Sequence, residues 1–182
     1  MYFIYSYEDI YPNDERLQYF TEQYQNFIGL SLKRYEILIL RDPYNLFASL
    51  IKSNMIDPSK EDYKTYINLY KAYAKEFIAA PDFNGGLQRI YLNYNHWFVD
   101  PKYRIHIAQN LGFESIGEAY NRVATMKGSS FDGLNLDHKA QEMKVLERWK
   151  EFQDNVFWQT IFQDAELVEL SNEIFGEVIP IL

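Results

Sequence analysis

Apolar positions recur along this chain in two patterns, one with the three-and-four spacing of a helix face and one in short unbroken runs. Phe3 to Tyr7 is a short β-prone run and predicts a strand. Asn13 or Asp14 offers a cap for a helix carrying Leu17, Phe20, Tyr24, Phe27 and Ile28 on one face, ending near Gly29. Ile37-Leu38-Ile39-Leu40 does not alternate, which predicts a strand buried on both faces, as in a parallel sheet covered by helices. Arg41-Asp42-Pro43 closes it, and Leu46 to Met55 reads as the next helix. Asp57-Pro58-Ser59 starts another, in which Tyr63, Tyr66, Tyr70, Tyr73 and Phe77 form a stripe of rings suited to core packing.

Further on, Pro81 to Gly86 predicts a turn, Ile90 to Tyr94 a second strand, and Asp100-Pro101 the start of a helix ending at Leu111-Gly112. Thr125 to Asp137, with Gly128 and Gly133, reads as a loop. Two helices close the chain, one carrying Val145, Trp149, Phe152 and Val156, the other Leu167, Leu170 and Ile174 and ending at Gly176. Strands alternating with helices predict an α/β class in which helices outweigh strands. No repeat, low-complexity tract or linker divides the 182 residues, so 1–182 is expected to be one domain.

Composition narrows the function classes. Aromatic residues make up 18%, which supplies a large core but names no ligand. A net charge of −8 argues against a broad nucleic-acid surface, while leaving room for one local anion site. The absence of cysteine excludes disulfides, thiolate metal sites and cysteine nucleophiles, and permits a reducing compartment. The apolar start meets Glu8 and Asp9 with no basic residue before them, unlike a secretory signal, and no apolar run approaches the ~18 residues of a membrane span. The expectation is a soluble cytoplasmic protein with no membrane or nucleic-acid partner.

Several candidate centres carry little chemistry. His96, His106 and His138 are too scattered for a helical metal pair. The acidic turn Asp132 to Asp137 puts leucine where a calcium loop needs an oxygen ligand. Asn84-Gly85-Gly86 has no basic partner, and Ser49, Ser129 and Ser130 lack the G-x-S-x-G setting of a hydrolase nucleophile. No metal is expected.

The informative segment is ILILRDPYNLFAS, residues 37–49. A strand ends in Arg41, Asp42-Pro43 makes a turn, and a helix opens around Tyr44-Asn45. In an open α/β sheet, ligands bind beyond the carboxyl ends of the strands, here beside a helix start that attracts anions. The planar fork of an arginine suits a phosphate, and Ser49, a turn and a half into the helix, can add a hydroxyl. Arg41 and Ser49 are therefore candidates for a phosphate-monoester site. The same spacing also allows Arg41 merely to pair with Asp42 or to cap a carbonyl.

R-D-P-x-N-x-x-x-S directly after an aliphatic strand resembles the 3′-phosphate-binding motif of the sulfotransferase family. Ile90 to Asn95, Asp100-Pro101 and Leu111-Gly112 follow the family's order, with Tyr94 on the tyrosine near the adenine and Asn95 in place of the usual Glu. Lys127-Gly128 is similar to the family's basic-basic-Gly loop over the same phosphate, although Met126 stands where an Arg is common. The resemblance implies a helix-rich three-layer sandwich with a short parallel sheet, P-loop NTPase-like. It implies 3′-phosphoadenylyl sulfate as donor, adenosine 3′,5′-bisphosphate as product, and a hydroxyl or amine acceptor of unspecified kind. Arg41, Ser49, Tyr94, Lys127 and Gly128 would then hold the nucleotide, and Glu8 would be the base.

One departure from the family pattern is large. No Gly-rich 5′-phosphosulfate loop precedes Arg41, so the first strand and its loop are expected to be absent and the domain to be N-terminally shortened. Two readings follow, a sulfotransferase-like enzyme and a truncated or non-catalytic module that binds nucleotide weakly or not at all and acts by protein interaction. An exposed sheet edge in such a domain predicts a homo-oligomer.

Overall fold

The computed structural model describes residues 4, 6–7, 10–12, 14–29, 33–60, 62–79, 88–114, 122–123 and 128–178. Strands β1 (Tyr35–Leu40) and β2 (Gln88–Asn93) form a two-stranded parallel sheet, with Tyr35 opposite Gln88 and Leu40 opposite Asn93. Parallel neighbours need a crossover, and helices α2 (Pro43–Lys52) and α3 (Asp62–Ala79) supply it. Helix α1 (Glu15–Ile28) precedes the sheet, and α4 (Tyr94–Val99) and α5 (Pro101–Asn110) follow β2. Two 3₁₀ turns (Ala140–Glu142 and Arg148–Glu151), α6 (Val156–Ile161) and α7 (Ala165–Phe175) complete the described order. The fold is α/β, helix-rich around a short parallel sheet. None of the described helices is long and apolar enough to cross a membrane.

The larger core joins Leu40 and the inner faces of α2 and α3 to Trp158, Ile161 and Leu167. Trp158 is fully buried and donates its indole N–H to the Tyr44 carbonyl at 3.2 Å, so its polar handle is satisfied. Truncating such a ring to alanine costs roughly 3–5 kcal/mol. The ring stripe of α3 serves this core: Tyr70 is buried, and Tyr63, Tyr66, Tyr73 and Phe77 pack against the cluster. A smaller core sets Ile90 and Leu92 of β2 against Ile107 of α5.

Several expectations need correction. Ile37 and Ile39 are 43% and 58% exposed, so β1 is not buried on both faces. They share a face with Ile90 and Leu92, and the helix on that face, α5, packs through Ile107 against β2. Phe27 and Tyr24 of α1 are also exposed, because α1 meets its neighbours through Phe20, stacked on Tyr7 at 5.5 Å. Of the first expected strand, Ile4, Ser6 and Tyr7 carry no strand geometry, and Phe3 and Tyr5 lie outside the described residues. The turn at 81–86 also lies outside them.

Helix boundaries differ as well. Helix α2 starts at Pro43, and α3 starts at Asp62 because Asp57 accepts from the Ser59 N–H and hydroxyl, forming a local turn. The stretch holding Val145, Trp149 and Phe152 is not one helix with Val156. Its backbone groups bond elsewhere: Asn45 accepts from the Trp149 N–H and donates to the Leu146 carbonyl, while Arg41 donates to the Val145 carbonyl. Side chains from another part of the chain thus replace the helical ladder.

Candidate anion site beyond the strand ends

Asp42 caps α2 by accepting from the Asn45 N–H at 2.8 Å, and Pro43 occupies the first helical position, where no N–H is needed. The Asp42 carboxylate is fully buried and is surrounded by amides. Its Oδ1 accepts from Asn45 Nδ2 at 3.0 Å and its Oδ2 from Asn95 Nδ2 at 2.9 Å. Asn45, also fully buried, carries the 3₁₀ turn through its bonds to Leu146 and Trp149 at 3.2 and 3.1 Å. Tyr70 donates its hydroxyl to the Arg41 carbonyl at 3.1 Å, which fixes the backbone where β1 ends. Burial, and then the nearby Asp42 charge, holds the Tyr70 phenol well above its ordinary pKa, so it stays a donor.

Two guanidinium groups meet at one hydroxyl. Arg41 Nη1 and Arg148 Nη1 lie 3.3 and 3.2 Å from Ser49 Oγ. Ser49 gives its own hydrogen to the Asn45 carbonyl at 2.9 Å, so only its lone pairs face the arginines. The Tyr94 ring lies 5.6 Å from the Arg41 guanidinium and the Phe131 ring 4.9 Å from that of Arg148. The Nε groups of both arginines are buried and have no hydrogen-bond partner among the described residues.

Each arginine has a nearby carboxylate, Asp42 for Arg41 and Asp132 for Arg148, but neither carboxylate is hydrogen-bonded to its guanidinium. Arg41 forms no ion pair among the described residues, and its neighbour Asp42 has its oxygens committed to amides. Asp132 approaches Arg148 only to 3.8 Å, although the Arg148 side chain is just 10% exposed. Burial lowers the Arg41 pKa to about 10 against the opposing charge of Asp42, with the nearby Arg148 charge also lowering it, and burial lowers that of Arg148 against the charge of Asp132. Two desolvated cations with two spare N–H groups make a donor set that fits a phosphate monoester.

The loop that closes the site is a tight hairpin. Ser129 and Gly133 exchange backbone hydrogen bonds at 2.8 Å, and Gly128 adopts φ +67°, where an added Cβ would fall 2.5 Å from the Gly133 oxygen. Within it, Ser129 Oγ accepts from Arg148 Nη2 at 2.8 Å and donates to Asp132 at 3.0 Å.

Of the residues expected from the sequence, the structure brings Arg41, Ser49 and Tyr94 together. Gly128 shapes the hairpin whose next residue holds Arg148. Glu8 and Lys127 lie outside the described residues, as does Met126. Arg41 does not pair with Asp42; it does cap a carbonyl, that of Val145, while also reaching Ser49. Sequence reasoning missed Arg148, Ser129 and the anchoring role of Asn45. A signal for Arg148 existed. It falls three residues after Val145 and four before Phe152, so it sits on the apolar stripe, where a charge needs a reason. No protein-family profile matches the chain, and neither a curated protein nor a solved structure is significantly similar to it.

Proposed function

We propose that the arginine cluster beyond the end of β1 binds the 3′-phosphate of a nucleotide and that the chain is a sulfotransferase-like protein of P-loop NTPase-like, three-layer fold. One observation carries the reading: the buried Arg41 guanidinium reaches Ser49 beyond the end of β1, beside α2, with its Nε unspent. Arg41 and Ser49 hold the phosphate in this reading, with Ser49 turning its hydrogen from the Asn45 carbonyl to a phosphate oxygen, and Tyr94 lies towards the adenine. The donor, 3′-phosphoadenylyl sulfate, supplies the sulfuryl group, which passes to a hydroxyl or amine as adenosine 3′,5′-bisphosphate leaves. A proton leaves the acceptor in the same exchange, and Glu8 is its expected destination. The chain's described residues contribute binding and orientation, which is where most of the catalytic benefit of such in-line transfers lies.

Calorimetry with adenosine 3′,5′-bisphosphate tests the reading. Binding is expected, and Arg41→Ala should weaken it by about 2–3 kcal/mol, the scale of a lost charge-assisted contact. Equal binding by both proteins, or no preference over adenosine 5′-monophosphate, would refute it. Transfer of sulfate to an acceptor panel, abolished by Glu8→Gln, separates an enzyme from a module that only binds.

A further inference from the structure

We propose that Arg148 is a second ligand of this phosphate, closing the site from the 3₁₀ turn and restricting it to dianionic phosphate monoesters. The inference rests on reading the β1–α2 junction as a phosphate site, and it adds a residue remote in sequence from the motif that suggested that reading. Met126 stands where the resemblance leads one to expect a guanidinium, and Arg148 brings one to the same hydroxyl from another segment.

The geometry resists a purely structural explanation of Arg148. Its partners are two neutral hydroxyls, Ser49 at 3.2 Å and Ser129 at 2.8 Å, and neither neutralises a cation. Its counter-charge is Asp132, an ion pair at 3.8 Å that is too long for a direct hydrogen bond and leaves the guanidinium's donors to neutral groups. Its Nε is buried and has no hydrogen-bond partner among the described residues. A second cation, Arg41, shares the Ser49 hydroxyl, so the pair repel across a weakly screened space. An anion between them would satisfy both spare N–H groups and remove the repulsion. Two cations facing one anion favour a charge of −2 over −1, which separates a terminal phosphate from a phosphodiester.

The turn is held where this requires. Asn45, whose N–H binds the Asp42 cap of α2, also fixes Leu146 and Trp149 on either side of Arg148. One buried amide thus sets both cationic arms of the site against the same helix.

The test uses the full chain with three probes at pH 7.5: adenosine 3′,5′-bisphosphate, inorganic phosphate and dimethyl phosphate, the last a singly charged diester. The inference expects phosphate to bind at least tenfold more tightly than dimethyl phosphate. Arg148→Gln should weaken both bisphosphate and phosphate at least tenfold. Arg148→Lys, which keeps the charge but loses the fork and guards against a misfolded Gln variant, should fall between. If Arg148→Gln and Arg148→Lys bind like wild type while Arg41→Ala is impaired, the inference is overturned and the nucleotide reading stands. If phosphate needs both arginines but the bisphosphate binds no better than phosphate, the nucleotide reading fails and the inference stands. Equal binding of the diester overturns the selectivity, and no binding of any probe by wild type overturns both.

Discussion

Asp42 and Asn95 form a reciprocal pair across the ends of the two strands. Asn95 Nδ2 donates to Asp42 Oδ2 at 2.9 Å, and the Asp42 N–H points back to Asn95 Oδ1 at 3.4 Å. The pair ties the start of α2 to the start of α4, and so sets Tyr94 against Arg41. It also explains why an amide rather than a carboxylate stands at position 95 in this chain. A Glu or Asp there would face the fully buried Asp42 carboxylate at hydrogen-bond distance, with no proton to share.

Asn95→Asp should therefore destabilise the protein at pH 7.5 by about 2–4 kcal/mol, the scale of a like charge forced beside a buried one. The loss should shrink as pH falls towards 5, when the two carboxyls can share a proton. Asn95→Ala removes a donor without adding charge and should cost less, about 1–2 kcal/mol, with no such pH dependence. Urea unfolding across this pH range checks both. A pH-independent Asn95→Asp deficit would mean that the two side chains do not face each other.

The parts of this site that could be read in the sequence are those in which strand, turn and helix are contiguous. Arg41 and Ser49 are eight residues apart, and once a strand end and a helix start are assigned between them, the geometry of those elements brings them together. Tyr94 was suggested by the family resemblance alone, as the residue expected to end the second strand, whereas it opens α4 directly after β2. Arg148 was not legible, because its position depends on a tertiary override. The apolar spacing of Val145, Trp149 and Phe152 is helical, yet Asn45 and Arg41 take the backbone groups that a helix would use. The exposure of Ile37 and Ile39 was also hidden, since an unbroken aliphatic run says that a strand can be buried on both faces, not that something covers each half of it.

The hairpin at Gly128 should be sensitive to a single methyl group. Alanine there must hold φ +67° and place its Cβ 2.5 Å from the Gly133 backbone oxygen. Strain of this kind costs about 1–3 kcal/mol and is relieved locally by opening the Ser129–Gly133 bridge. Gly128→Ala should accelerate exchange of the Ser129 and Gly133 amides and weaken phosphate binding by releasing Ser129 from Arg148. The global unfolding midpoint should move little. Unchanged amide protection in the variant would contradict this account.

Helix α7 is clipped to α3 by charges. Lys71 lies 2.9 Å from both Asp164 and Glu166, and Lys75 lies 2.6 Å from the other Glu166 oxygen. Hydrogen bonds from Lys75 and Lys71 hold the Glu166 carboxyl down at about 2, against an ordinary 4.5. A carboxyl depressed on folding stabilises the native state above its unfolded pKa, and that contribution is lost as pH falls through the folded one. Glu166→Gln should therefore be less stable than wild type at pH 6 and converge with it as pH drops from 4.5 towards 2. Thermal melts at several pH values measure the convergence, and high salt should reduce the difference at pH 6 because Glu166 is exposed.

Arg41 is expected to trade stability for binding. Replacing it with methionine leaves the Val145 carbonyl without the arginine's donor, a loss of about 1–2 kcal/mol, while Ser49 keeps the hydrogen bond from Arg148. The same change removes a cation that burial holds below its ordinary pKa, and with it the cost of keeping that charge out of water. The two effects oppose each other, and relief of the buried charge should leave ligand-free Arg41→Met at least as stable as wild type. Added phosphate should reverse the order, raising the wild-type melting temperature and leaving the variant unmoved. Denaturant unfolding with and without phosphate decides the matter. A ligand-free variant clearly less stable than wild type would show that the guanidinium holds the fold together rather than waiting for an anion.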